Sequence, residues 1–260
     1  MGFLSTCQSY KNINTVWLYF LFFGPRVVHL KGYIKLMMPC PILHKSPTIL
    51  LVGAGPTSSA VLQAAAAHAV TVVAADGGFQ SAQSAGLDVA LVVGDMDSQV
   101  GMPKSQPIAQ IDDQNTTDFD KCLQTCDADL FVGVGFLGGR LDHELAAFSA
   151  LLKEPRPVVL IDEHQLVFVV PEQFHLELEA GVPVGFYPML PVHVNLQGVQ
   201  WPLDDTEMSP VGKIATSNKS NGELLALKVD GPGLLAILPV RYLGPVLAIL
   251  RGRKSAITDH

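Results

Sequence analysis

Residues 48–52 form an unbroken apolar run that follows Pro47 and stops at Gly53-Ala54-Gly55-Pro56. An alanine-rich stretch over 58–68 reads as a helix. A second apolar run covers 70–75 and ends at Asp76-Gly77-Gly78, and a short helix is predicted over 79–85. A third run, 89–93, ends at Gly94-Asp95. Residues 108–111 allow a further short strand. Over 117–126, Phe119, Cys122, Leu123 and Cys126 recur at i, i+3, i+4 and i+7, the stripe of a half-buried helix. Residues 130–134 and 158–161 read as buried strands, with a helix over 142–152 between them. Strands that are apolar throughout and alternate with helices imply a parallel sheet covered on both faces.

After about residue 163 the texture changes. No helix-length periodic stretch is evident. Short alternating or β-branched runs follow instead, at 166–170, 175–178, 182–187, 192–196, 213–216, 224–229 and 234–238. Gly, Pro, Asn and Asp separate them, the pattern of a small antiparallel sandwich or barrel. The predicted fold is therefore α/β: a parallel, Rossmann-like sheet with helices on both faces over 47–163, then a small all-β sandwich over 164–255.

Composition narrows the function. Hydrophobic residues are 48% and charged residues 16% of 260, enough apolar material for a sizeable core. The net charge of −7 argues against nucleic acid as a partner. An acidic chain that handles polyphosphate needs a cation as intermediary. Four scattered cysteines give no disulfide framework, and the chain is read as cytoplasmic. Positions 1–75 hold no acid and five basic residues, and the apolar run 16–23 is far short of the about 20 residues that span a membrane. Residues 1–46 are read as a leader outside the fold.

The chemistry sits at strand ends. In an open parallel sheet, ligands bind beyond the carboxyl ends of the strands. Asp76 lies there on the second strand; Asp95 and Asp97 lie there on the third. Arg140 and Asp142 follow the strand 130–134 through Gly133-Val134-Gly135-Phe136-Leu137-Gly138-Gly139. Asp118 opens a helix after Gln114-Asn115-Thr116-Thr117. Five acids and one arginine thus converge on one rim. Asp95-Met96-Asp97 can share one hard cation through oxygen ligands. Asp is equally a turn and cap residue, so the pair alone leaves both readings open. Arg140 offers a fork of donors suited to phosphate, and Asp142 suits an N-cap. Lys121 suits a carboxylate, a phosphate or, most commonly for a lysine, solvent. Gly53-Ala54-Gly55 with Asp76 some twenty residues on is a partial dinucleotide fingerprint.

These strings together resemble the thiamine pyrophosphokinase family. They are Ala75-Asp76-Gly77-Gly78, Gly94-Asp95-Met96-Asp97-Ser98, Asp113 through Lys121 (Asp-Gln-Asn-Thr-Thr-Asp-Phe-Asp-Lys) and Gly138-Gly139-Arg140-Leu141-Asp142-His143. Gly198-Val199-Gln200-Trp201-Pro202-Leu203 and Ser217-Asn218 resemble two elements of the family's β domain. The resemblance covers about 48–240. It implies an α/β catalytic domain, a β-sandwich and a homodimer whose sites lie between subunits. It implies Mg²⁺ on Asp95, Asp97 and Asp118, with ATP and thiamine as substrates. Asp76, Asp95, Asp97, Asp118 and Asp142 become the acidic site residues. Asp76, Gly77, Gln114, Thr117 and Arg140 would face the nucleotide; Ser217 and Asn218 would face thiamine. The activity implied is transfer of pyrophosphate from ATP to the thiamine hydroxyl, with AMP leaving. Asp118 or Asp142 would accept the hydroxyl proton. The alternatives are an NAD-dependent oxidoreductase using Gly53-Ala54-Gly55, and a non-catalytic nucleotide- or thiamine-binding protein. Trp201 is read as a core residue of the sandwich, with stacking on thiamine as the other reading.

Overall fold

The computed structural model describes residues 44–95 and 102–252. Met96, Asp97 and Ser98, and the first 43 residues of the predicted leader, lie outside the described residues. The described chain begins with β1 (His44–Val52), α1 (Ser59–Ala66), β2 (Thr71–Ala75), α2 (Phe79–Ser84) and β3 (Val89–Gly94). It continues through β4 (Ile108–Gln110), α3 (Asp118–Thr125), β5 (Cys126–Val134), α4 (Leu141–Lys153) and β6 (Val158–Ile161). These six strands are parallel, in the order β4-β3-β2-β1-β5-β6. The direction of winding reverses between β1 and β5, whose pairing runs from His44 opposite Cys126 to Val52 opposite Val134.

The second half supplies β7 (Gln165–Val169), β8 (Gln173–Leu176), β9 (Pro183–Pro188), β10 (Val192–Gln197), β11 (Leu203–Met208), β12 (Ala215–Lys219), β13 (Leu225–Val229), β14 (Leu234–Pro239) and α5 (Leu243–Gly252). β7 pairs antiparallel with β6, and β14, β9 and β12 follow outward, making one sheet of ten strands. β11, β10, β13 and β8 form a second, four-stranded antiparallel sheet. The chain is therefore mixed α/β, a large sheet with a second antiparallel sheet. The large sheet runs without a break across residue 163, where the sequence shows only a change of texture.

Two cores lie on the two faces of the large sheet. One joins α1, α2, α5 and the four-stranded sheet, with Leu62, Phe79, Leu247, Phe168 and Val194 among its buried members. The other sits under α3 and α4 and includes Leu51, Phe119, Leu123 and Leu151. The predicted stripe Phe119, Cys122, Leu123 and Cys126 is buried throughout.

Three expectations are corrected. β1 already starts at His44, so the leader boundary at 46 overruns the sheet; Thr71 donates to Ser46 across β1 and β2 at 3.0 Å. The segment after 163 does contain a helix. In α5, Leu243, Val246, Leu247 and Leu250 are buried at helical spacing, but Gly244-Pro245 in its first turn mimics a loop. Proline is tolerated there because first-turn amides have no intrahelical partner. β11 was not predicted: its sequence Leu-Asp-Asp-Thr-Glu-Met buries only its two ends, as an edge strand can.

Candidate functional site

A cleft of about 540 Å³ opens at the carboxyl ends of the parallel strands, between the loops that leave β1 and β5. This is where the winding reverses, and the two loops diverge. Gly53 N–H donates to Val134 O at 2.7 Å and Gly55 N–H to Gly135 O at 2.8 Å. A Cβ on Gly53 would lie 2.5 Å from Gly135 O, and one on Gly135, at φ +80°, would lie 2.5 Å from Gly53 O. These glycines let two loops interlock. The amides of Gly53 and Gly55 are taken by the carbonyls of Val134 and Gly135, so these two N–H groups are not available to a pyrophosphate, which argues against the dinucleotide fingerprint.

The acids gather on the other wall. Asp76 follows β2 and is 4% exposed; it does not itself line the cleft, although Ala75 and Gly77 on either side of it do. A Cβ on Gly94 would meet Asp76 Cβ at 2.7 Å and Asp118 Oδ1 at 3.5 Å, so both acids crowd that glycine. Asp95 follows directly, at the end of β3. Thr117 is the N-cap of α3. Its hydroxyl accepts from Asp120 N–H at 3.1 Å and donates to Asp120 Oδ2 at 2.6 Å, while Thr117 N–H donates back to Asp120 at 3.0 Å. This reciprocal cap fixes the first turn and points Asp118 at the cleft. Gln114, Thr116, Gly77 and Phe136 also line it, and the Phe119 and Phe136 rings pack 4.4 Å apart.

Lys121 is the residue that sequence reasoning undervalued. It is not solvated: only 2% of it is exposed. Its Nζ lies 3.0 Å from Asp118 Oδ1 and 3.9 Å from Asp95 Oδ2. The spacing Asp118–Lys121, one helical turn, was the available signal. Among the described residues no three His, Cys, Asp or Glu side chains converge as a ready metal cage, and Asp97 lies outside them.

Arg140 stands at the mouth. Its Nε and Nη2 donate to Asp142 Oδ1 and Oδ2 at 3.1 and 2.5 Å, and both side chains are exposed. That fork holds the Asp142 carboxyl below the usual range. The N-cap position of α4 belongs to Arg140, not to Asp142, which sits within the first turn and accepts from His143 N–H at 3.0 Å. Arg140 lines the cleft directly; Asp142 reaches it through Arg140. Glu144, unforeseen from sequence, also lines the cleft and accepts from Gly138 N–H.

Ser217 and Asn218 are elsewhere. They lie on β12, the outer strand of the large sheet, six strands from β1. At roughly 4.8 Å per strand this is about 29 Å within one chain. Asn218 is buried and holds Trp201 at both backbone groups: Trp201 N–H donates to Oδ1 at 3.2 Å and Nδ2 donates to Trp201 O at 2.9 Å. Trp201 is not core; it is 54% exposed. Ser217 sits at φ +60° in the irregularity between Ala215 and Asn218.

Comparison with known proteins fits this arrangement. The family described as thiamin pyrophosphokinase, catalytic domain, matches residues 62–160. The thiamin pyrophosphokinase vitamin B1 binding domain matches residues 172–231. Thiamine pyrophosphokinase 2 of Arabidopsis thaliana is 30% identical over 142 residues, 48% of this chain and 53% of that protein. Thiamin pyrophosphokinase 1 of Caenorhabditis elegans is 26% identical over 168 residues, 56% of this chain and 69% of that one. The chain thus spans about half the length of the plant relatives it matches. Among solved structures, thiamin pyrophosphokinase from Candida albicans superposes with a TM-score of 0.64 at 15% identity, over 75% of this chain and 92% of that one. That from Bacillus subtilis gives 0.61 at 21%, over 74% and 98%. At such identities the likeness is one of fold. Two domain matches of one family, in order and together spanning more than half of the chain, place it in the thiamin pyrophosphokinase family.

Proposed function

We propose that this chain is a thiamine diphosphokinase. It moves the pyrophosphoryl group of ATP to thiamine. The hydroxyl oxygen of thiamine bonds to the β-phosphorus. The bond from that phosphorus to the α,β-bridging oxygen breaks, AMP leaves with its electron pair, and the hydroxyl proton passes to a cleft carboxylate. The observation that carries this is the convergence of Asp95 and Asp118 on one buried positive charge, Lys121, in the cleft where the sheet reverses. Incubation with ATP, Mg²⁺ and thiamine should release AMP and thiamine diphosphate in equal amounts. Binding without AMP release would leave only a binding protein.

The donor set suits a hard divalent ion. Two carboxylates from separate elements already meet at a cation, and Mg²⁺ is ordinarily held by one or two carboxylates with waters and phosphate oxygens. Asp95 and Asp118, with Asp97, would hold it; when bound it neutralises charge between the acids and the polyphosphate. Arg140 would turn its fork from Asp142 to phosphate oxygens, a match of planar donors to a charged acceptor. Thr117 acts mainly by fixing the turn that presents Asp118 and Gln114, since its hydroxyl is engaged by Asp120. Asp76 and Gly77 would border the nucleotide from the end of β2.

The division of labour follows the sequence: residues up to 163 handle ATP, and those over 164–255 handle thiamine through Ser217, Asn218 and the exposed Trp201. The parallel part is Rossmann-like in use, with ligand at the reversal of strand order, and the antiparallel strands form a sandwich with the four-stranded sheet. Because the two sets lie far apart in one chain, a homodimer with shared sites is the arrangement that unites them. Leu141 and Leu145 near the cleft, and Trp201 and Ile214 near β12, offer exposed apolar surface for it. The acidic chain and its two free, buried thiols among the described residues suit a cytoplasmic enzyme without nucleic-acid partners. Among the described residues no helix is long and apolar enough to cross a membrane.

A further inference from the structure

Lys121 carries a consequence beyond family membership. A buried ammonium is costly unless opposite charges surround it. Lys121 Nζ is held by Asp118 at 3.0 Å and, more loosely, by Asp95 at 3.9 Å. The two carboxylates come from different elements, the end of β3 and the first turn of α3. Asp76 crowds the same glycine as Asp118, adding a third acid to the neighbourhood. Without a cation these elements would repel each other. A divalent ion would require the same two carboxylates that the ammonium now holds.

We propose that Lys121 is a tethered cation that keeps Asp95 and Asp118 together before metal arrives, and that a divalent ion competes with it for Asp95. The inference rests on the reading of the cleft as a Mg²⁺-polyphosphate site. Repulsion between the ammonium and the ion lowers the ion's affinity for the empty enzyme. Firm binding then waits for the negative charge of the polyphosphate, so metal and nucleotide enter together.

The test uses Lys121→Met on the full chain, without nucleotide. Melting is followed in a chelator and in excess Mg²⁺, and Mn²⁺ binding by electron paramagnetic resonance. In the chelator the variant should melt below the wild type, and Mg²⁺ should close most of that gap. Mn²⁺ should bind the variant about tenfold more tightly, because a like charge within a few ångströms has gone. A melting deficit that Mg²⁺ leaves untouched, or Mn²⁺ binding that is unchanged or weaker, overturns the proposal. If Lys121→Met does not fold in the chelator, Asp118→Asn combined with it decides. Removing both charges should give a protein that folds in the chelator, and a double variant no more stable than the single one overturns the proposal. Release of AMP by the wild type is measured separately. Tighter Mn²⁺ binding in the variant beside an inactive wild type supports Lys121 and sinks the kinase reading. An active wild type beside unchanged Mn²⁺ binding does the opposite.

Discussion

Asn218 grips Trp201 by both its backbone N–H and its C=O, at 3.2 and 2.9 Å, while the indole stays 54% exposed. A buried amide that fixes the main chain of an exposed aromatic residue sets the point and direction from which that side chain leaves the backbone. Asn218→Ala leaves both backbone groups of Trp201 without this partner. It should cost about 1–3 kcal/mol, read by chemical denaturation, and raise the KM for thiamine more than that for ATP. Equal effects on both KM values would show that Asn218 serves the fold alone.

The proposed sharing of sites between two copies of the chain has its own test. Asp118→Asn and Asn218→Ala proteins, each poorly active, are mixed and allowed to exchange subunits. Two-fold symmetry gives each mixed dimer one intact site, so part of the activity should return. Mixed dimers with no recovery would put both residue sets to work within a single chain.

Asp118→Asn should slow turnover by roughly a hundredfold or more, if the carboxylate serves a metal. Removing one acid from a cluster by itself relieves repulsion and would raise stability. Lys121 reverses that sign, because its nearer partner is gone and the ammonium is left with the more distant Asp95. A loss of roughly 1–3 kcal/mol is expected, less than for a fully buried pair since Asp118 is 37% exposed. Thermal melts in chelator decide the sign.

Gly135 and Gly138 separate two causes of strain. Both have positive φ, +80° and +75°, but a Cβ on Gly138 meets nothing within 4 Å, while one on Gly135 meets Gly53 O at 2.5 Å. Gly138→Ala should cost about 1–2 kcal/mol, from backbone conformation alone. Gly135→Ala should add roughly 1–3 kcal/mol of overpacking and distort the cleft. Similar stabilities for the two variants would contradict the interlocked loops.

Two groups give pH tests. Burial pushes the Cys126 thiol up to about 12, with Arg156 acting in the opposite direction. The folded state therefore keeps the proton more tightly than the unfolded chain. This contribution to stability is fully present below pH about 8.5 and is lost as pH rises toward 12. Cys126→Ala should flatten the alkaline limb of the stability profile. At the mouth of the cleft, the Arg140 fork lowers the Asp142 carboxyl. Arg140→Gln should let the Asp142 titration, followed by carbon NMR, return upward toward the ordinary aspartate range.

The order of elements up to residue 161 was legible because β1, β2, β3, β5 and β6 each carry an apolar run that stops at Gly or Asp. The acids at those ends were legible for the same reason: strand ends in such a sheet face one rim. Three things were not. Lys121 looks like a surface lysine until α3 is packed against β3 and its ammonium is enclosed by acids from two elements. α5 hides behind Gly244-Pro245, and only its burial against the sheet shows that the two residues occupy a first turn. The pairing of β14 with β7, and of β9 and β12 beyond it, joins segments distant in sequence, and local patterns do not encode which strand edges meet. The sequence by itself determined which residues can carry charge and where strands stop. Tertiary structure decided which charges are buried together, because desolvation and pairing depend on neighbours brought in from other elements.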